Sequence, residues 1–193
     1  MSDEEFFSFF LPIFCQLYMK PLREVAQAYM SLSDAGMQLQ AGSYRDAAES
    51  CRKAMEMSRT ISLEEAFDHE GFDAFCFATL SEAFWRLGRF EESLQSAEKA
   101  LRYFNRRGEL NQDEGKLWIA AVFSKAVALQ ETGSPEDAAG FFRTAGEMIA
   151  ERKGELPGKE MLLQEIEERL ALLEGSLNSK RKSGYKAWWE FWS

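Results

Sequence analysis

Gly88-Arg89-Phe90-Glu91-Glu92-Ser93, followed by Ala97 and Ala100, decides the fold of this chain because the pattern recurs on either side of it. Gly42-Ser43-Tyr44-Arg45-Asp46-Ala47 precedes Ala54, and Gly133-Ser134-Pro135-Glu136-Asp137-Ala138 precedes Ala145. Ala54, Ala100 and Ala145 follow one another after 46 and then 45 residues. A near-constant period of this size marks a solenoid, in which each unit is two helices that bury their apolar faces only against neighbours. The small residues Ala47, Ser93 and Ala138 open the second helix of each unit, and the three alanines lie two turns on along the same seam. Side chains of that size let paired helices approach closely, and a bulky replacement would overpack the seam.

The regions between these blocks read as helices. Pro21 starts the first, with Leu22, Val25, Ala26, Tyr29, Leu32 and Gly36 at a 3.6-residue period. Ser43 is placed to cap the second, with Asp46 near its positive end and Ala47, Cys51, Ala54 and Met55 inward. Ser62-Leu63-Glu64-Glu65 has capping-box spacing and opens a turn into a third helix carrying Phe77, Leu80, Phe84 and Leu87. A fourth runs from Phe90 with Leu94, Ala97, Ala100, Leu101 and Phe104, and a fifth from Asn111 with Trp118, Val122, Ala126 and Leu129. Ser134-Pro135 starts the sixth, lined by Ala138, Phe142, Ala145 and Ile149. After Pro157, Leu162, Ile166, Leu170 and Leu173 define a last helix. Its opposite face, with Glu160, Glu165, Glu167, Glu168 and Arg169, suits the polar outside of a terminal cap. The expectation is an all-α protein of stacked antiparallel helix pairs.

Composition limits the function. A formal net charge of −9 opposes general nucleic-acid binding, since nothing offsets phosphate repulsion. Cys15, Cys51 and Cys76 have neither disulfide nor metal spacing, and Cys51 and Cys76 sit on apolar helical faces, which fits reduced thiols and a cytoplasmic protein. The most apolar stretch, Phe6 to Tyr18, is interrupted by Pro12, is short for a membrane span, and follows acidic Asp3, Glu4 and Glu5, which argues against a signal peptide. No nucleophile–base motif, phosphate loop or dinucleotide fingerprint occurs, so no catalytic residue, cofactor or metal is expected.

The repeated blocks resemble the tetratricopeptide repeat (TPR). Leu80, Ser81, Phe84, Leu87, Gly88, Phe90, Ser93, Ala97 and Ala100 occupy its signature positions in order. The third unit keeps Ala126, Leu129, Gly133, Ala138, Phe142 and Ala145, and the first keeps Ala35, Gly42, Tyr44, Ala47 and Ala54. Each unit is about three helical turns longer than the usual repeat, with the excess around residues 58–72 and 104–116. Residues 65–76 and 103–118 resemble a small bacterial TPR-like family of uncharacterised function. These resemblances imply a right-handed solenoid of three extended helix pairs plus a C-terminal capping helix over residues 19–175. The family's start near Met19-Lys20-Pro21-Leu22 makes residues 1–18 an added apolar segment or a misassigned start. The family's groove positions fall on Tyr29, Leu32 and Leu39, on Phe75, Glu82, Trp85 and Arg86, and on Phe123 and Gln130. They suit an amphipathic helix or an apolar peptide, unless the capping helix or residues 1–18 cover these rings as core. The carboxylate clamp of chaperone-binding members is unmatched, its positions falling on Leu32, Gly36, Ala120 and Ser124.

Two further regions invite a role. The extensions bring Asp68, His69 and Asp73 towards Arg106 and Arg107, either as a structural ion-pair network or as a polar pocket with His69 as its acid–base group. At the other end, residues 176–184 read as a flexible basic linker to a tail, residues 185–193. Tyr185, Trp188, Trp189, Phe191 and Trp192 there suit membrane-surface contact, insertion into a partner, or docking on the chain's own groove in cis or in a homodimer. The leading expectation is a non-enzymatic scaffold binding a protein or peptide in its concave groove. The rival is a ligand-sensing or catalytic domain centred on His69, Asp73 and Arg106.

Overall fold

Each unit turns on a left-handed glycine. Gly88 has φ 72°, its N–H bonds to the Trp85 carbonyl at 3.0 Å, and Arg89 N–H reaches the Phe84 carbonyl at 2.9 Å. These two bonds satisfy carbonyls that the preceding helix leaves open, in the Schellman pattern. The same pair of bonds closes the turn at Gly42, with Gly42 N–H to Leu39 O at 3.0 Å and Ser43 N–H to Gln38 O at 2.8 Å, and at Gly133 the longer-range bond recurs, Ser134 N–H to Leu129 O at 2.9 Å. Gly88→Ala should therefore destabilise by about 1–2 kcal/mol in urea unfolding, because an L side chain is strained at this φ. An unchanged midpoint would remove the turn from the account of the fold.

The structure, a computed structural model, describes residues 20–107, 112–152 and 155–184. Its seven described helices are α1 (Lys20–Gln40), α2 (Tyr44–Ser58), α3 (His69–Arg86), α4 (Phe90–Arg107), α5 (Gln112–Glu131), α6 (Pro135–Glu151) and α7 (Lys159–Gly184). α1 packs on α2, α3 on α4 and α5 on α6, so the protein is an all-α solenoid of three helix pairs with α7 added on α6. α3 also packs on α5, whereas α2, α4 and α6 do not pack on one another. First helices that adjoin while second helices splay apart put α3 and α5 on the inner side of the curve. α1 touches α3 only lightly.

The expected seam is present. Ala47, Ala54, Ser93, Ala100, Ala138 and Ala145 are all 0% exposed. Ser93 replaces alanine there because its hydroxyl donates to the Ser81 carbonyl at 2.8 Å, so the buried oxygen is satisfied. α3 is apolar nearly all round, and it joins two cores. One contains Cys51, Ala54, Phe72, Cys76, Leu80 and Phe84, and the other Trp85, Phe104, Phe123, Phe142, Ile149 and Ile166.

Four expectations need correction. Ser43 and Ser134 stand at the N-caps of α2 and α6, but neither side chain bonds the helix, whose first acidic residues and Pro135 serve instead. α1 buries Ala28, Ser31 and Ala35, while Ala26 and Tyr29 are exposed, because small residues face the close α2 contact. The backbone stays helical through Gly184, so 176–184 continues α7 and does not form a linker. That stretch has no proline to break the helix. Finally, Glu165 and Arg169 of α7 turn inward from what reads as the cap's polar face. Residues 1–18 and the tail 185–193 lie outside the described residues.

Candidate functional site

The inner surface of the curve is built from α3 and α5 and closed by α7. Trp85 and Phe123 stand 6.0 Å apart, edge to face, and Phe123 meets Phe142 of α6 at 5.6 Å in the same way. Over these three rings lies the guanidinium of Arg169, 5.9, 6.0 and 5.8 Å from their centroids. Arg169 also donates to Glu165 Oε1 at 2.9 Å, which fixes it one turn along its own helix, and to Gln130 Oε1 of α5 at 3.4 Å. A planar cation desolvated against several rings is favourable, and its carboxylate partner cancels the charge that burial would otherwise penalise.

Glu82 lies one turn before Trp85 on α3. Burial raises its carboxyl above the ordinary range; the Arg86 charge opposes this and the Glu165 charge adds to it. Arg86 itself is exposed and covers the other side of Trp85 at 4.0 Å. Within this surface the indole Nε1 of Trp85 and the hydroxyl of Ser124 are buried without a hydrogen-bond partner among the described residues. Of the groove positions named from sequence, Trp85 and Phe123 are thus covered by α7, and Glu82 and Gln130 are half-buried beside it. Phe75 is half-buried against α4, stacked on Phe104 at 6.2 Å. Tyr29, Leu32 and Leu39 stand apart on α1, with Tyr29 46% exposed.

The two extensions do meet, but they do not form one site. Asp68 caps α3, accepting from Gly71 N–H at 2.9 Å and from the Tyr103 hydroxyl at 2.7 Å, with Arg107 at 3.9 Å. Arg106 pairs with Glu70. These contacts tie the start of α3 to the end of α4. His69 and Asp73, one turn apart, belong to another group: His69 packs edge-on to Phe67 at 4.7 Å, and the charges acting on Asp73 are those of Arg59 and His69. His69 Nε2 and Asp73 Oδ1 are buried without a hydrogen-bond partner among the described residues. Burial raises the Asp73 carboxyl, with Arg59 and His69 opposing. The trio His69, Asp73 and Arg106 is therefore not assembled by these contacts. Among the described residues no group of three or more histidine, cysteine, aspartate or glutamate side chains could hold a metal ion.

Asp68 yields a pH prediction. Burial pushes its carboxyl up, but the bonds from Gly71 and Tyr103 and the Arg107 charge outweigh burial and hold it below the usual value. A carboxylate with a lower folded than unfolded pKa contributes stability at neutral pH and loses it as the pH falls through the folded pKa. Asp68→Asn should therefore be less stable than wild type at pH 7 and approach it below about pH 4. Parallel acid-unfolding curves for the two proteins would contradict the assignment. The thiols are inert by contrast. Cys51 is pushed up to about 12 by burial, a hydrogen bond with Thr79 offsetting part of this, and burial raises Cys76 still further.

A repeat whose glycine turns and alanine seams coincide with a surface closed by α7 can now be compared with known proteins. The family described as Domain of Unknown Function (DUF3856) matches residues 20–162. The chain belongs to the DUF3856 family. This DUF3856 protein is similar to a TPR-like protein from Chlorobium tepidum TLS, known from its crystal structure. Identity is 59% over 81% of this chain and 99% of that one, with a TM-score of 0.77. It also shares its fold with the C-terminal TPR-containing domain of a Plasmodium falciparum protein assigned as FK506-binding. There the identity is 15%, coverage is 84% of this chain and 95% of that one, and the TM-score is 0.59. No curated protein matches the DUF3856 chain. The TPR-like resemblance read from the glycine and alanine blocks is thereby shown, and folds of this kind generally mediate contacts between proteins.

Sequence reasoning missed two features of this surface. Arg169 could not be placed over Trp85 because a mixed Glu/Arg helix face has no periodicity that points inward. Tyr103 was passed over as a partner for Asp68 because the two are 35 residues apart. A tyrosine on an otherwise buried helical face, facing an aspartate cap, was the one available signal.

Proposed function

We propose that this protein is a non-enzymatic interaction scaffold that holds a peptide or helical segment on its concave face. The observation supporting this is the seating of Arg169: a side chain of α7, a helix packed on α6, is engaged by Trp85, Phe123 and Gln130 together. A partner segment would use the same chemistry at the exposed Arg86 and the partly exposed Tyr29, since Leu32, Leu39 and Phe75 pack against the solenoid's own cores. Anchoring aromatics at the centre of such a surface carry most of the binding energy. Tyr185, Trp188, Trp189, Phe191 and Trp192 would then serve as a second docking element, on a partner or at a membrane surface. Among the described residues no helix is long and apolar enough to cross a membrane.

Capture from native cell extract should compare the full chain with Tyr29→Ala/Arg86→Glu and with a chain ending at Asn178. Partners lost with the double variant would support the concave face. Partners lost only with the truncation would place recognition in residues 179–193. Retention by all three would overturn the proposal. Trp188→Ala with Trp192→Ala should abolish liposome flotation if the tail meets membranes.

A further inference from the structure

On the side away from α3 and α5, hollows open between successive second helices, one between α2 and α4 and one beside α4 towards α6. Because α2 and α4 do not pack together, they leave a cleft of about 370 Å³ between them, floored by Phe77, Leu80 and Phe84 of α3. Cations hang over that floor. Lys99 Nζ lies 4.8 Å above the Phe77 ring and the Arg52 guanidinium 5.8 Å above Phe84. Among the described residues neither has a carboxylate within ion-pair distance. Glu56 and Glu92 also border the cleft; Glu92 pairs with Arg89, which itself lies 4.5 Å over Phe84, and also feels the Arg52 charge. A second hollow shares Arg52 and continues past Arg45, while Arg59 stands at the far end of the first. Arg45 to Arg59, the residue that ends α2, is fourteen residues along the helix, about 21 Å. In a chain of net charge −9, this is a trough with an apolar floor on which Arg45, Arg52, Arg59, Arg89 and Lys99 outnumber Glu49, Glu56 and Glu92.

A helix of the opposite character is present on the same chain. Met161 and Leu172 of α7 are 73% and 71% exposed, large apolar side chains with no place in their own core. Exposed Glu168 falls on the same face at helical spacing, and exposed Glu160 and Glu167 lie together along one side of it. Met161 to Leu172 covers eleven residues, about 16 Å, which fits within the length of the cleft. The inward face of α7, with Ile166, Arg169 and Leu173, stays engaged with its own solenoid, so the outward face is free to bind elsewhere.

We propose that the cleft between α2 and α4 receives the outward face of α7 from a second copy of this chain. Met161 and Leu172 lie on the floor formed by Phe77 and Phe84, and Glu167 and Glu168 meet Arg52 and Lys99. Placed reciprocally, each copy fills the cleft of the other, and the contact closes as a two-fold pair.

The test is light-scattering mass across a concentration series of the full chain at low and high salt. A mass rising to twice the chain, with weaker association at high salt, is expected. Arg52→Glu/Lys99→Glu and Glu167→Lys/Glu168→Lys should each self-associate at least about tenfold more weakly. An equimolar mixture of the two variants should regain the pair, which distinguishes lost complementarity from lost folding. A full chain that stays monomeric at every concentration overturns the proposal. So does a pair whose strength the reversals leave unchanged, or variants that fail to recover on mixing.

Discussion

Phe142→Ala should lower the unfolding free energy by about 3–5 kcal/mol, the range for removing a fully buried aromatic side chain. Phe142 is 0% exposed, meets Phe123 edge to face at 5.6 Å and lies 5.8 Å beneath the Arg169 guanidinium. Three helices therefore lose packing at once: α6, which carries the ring, α5 through Phe123, and α7 through Arg169. Collapse around the hole is limited because the neighbouring positions Ala138 and Ala145 are small and already in contact with the paired helix. Urea unfolding followed by far-ultraviolet circular dichroism reads the change. A loss below about 1 kcal/mol would show that α7 does not seal this surface.

Gly71→Ala reverses an ordinary rule, and its sign is diagnostic. Inside a helix, glycine to alanine normally stabilises by about 1 kcal/mol. At Gly71, in the first turn of α3, a Cβ would lie 2.5 Å from both Asp68 Oδ2 and the Tyr103 hydroxyl. Neither oxygen can yield cheaply, since the two are hydrogen-bonded to each other at 2.7 Å and Asp68 also holds Gly71 N–H. The substitution should cost about 1–3 kcal/mol from overpacking, and loss of the cap adds about 1 kcal/mol. In an Asp68→Ala/Tyr103→Phe background both obstructing oxygens are gone, and Gly71→Ala should become neutral or stabilising. A stabilising effect in the wild-type background would refute the link between the two extensions.

What could be read from the residues followed from the range of the interactions. Gly88 and its counterparts were legible because a Schellman turn is local, spanning six residues of backbone. Ala100 and Ser93 were legible because a small residue on a helical stripe has few explanations other than close approach. The inward face of α1 was misread because large apolar residues attract attention, whereas Ala28 and Ala35 make the contact. Within the candidate site, the sequence left open whether the capping helix covers Trp85 and Phe123, but it did not point to the side chain that does so. Arg169 reaches α3 across 84 residues of sequence, and nothing in a charged stripe announces such a partner. The sequence offered the two polar extensions as one cluster, and only geometry separates Asp68 with Tyr103 from His69 with Asp73.

The double membership of α3 has a consequence for cooperativity. In a solenoid each unit couples to the next through one interface, and weak coupling lets ends melt separately. Here detaching the first pair would uncover Phe72, Cys76, Leu80 and Phe84 along one side of a helix whose other side is still buried. At about 1.5–3 kcal/mol for each large apolar side chain returned to water, that interfacial free energy rivals the whole stability of an ordinary domain. The interface at α3 therefore joins three units into one thermodynamic body, with α3 as the segment whose ordering both halves must await.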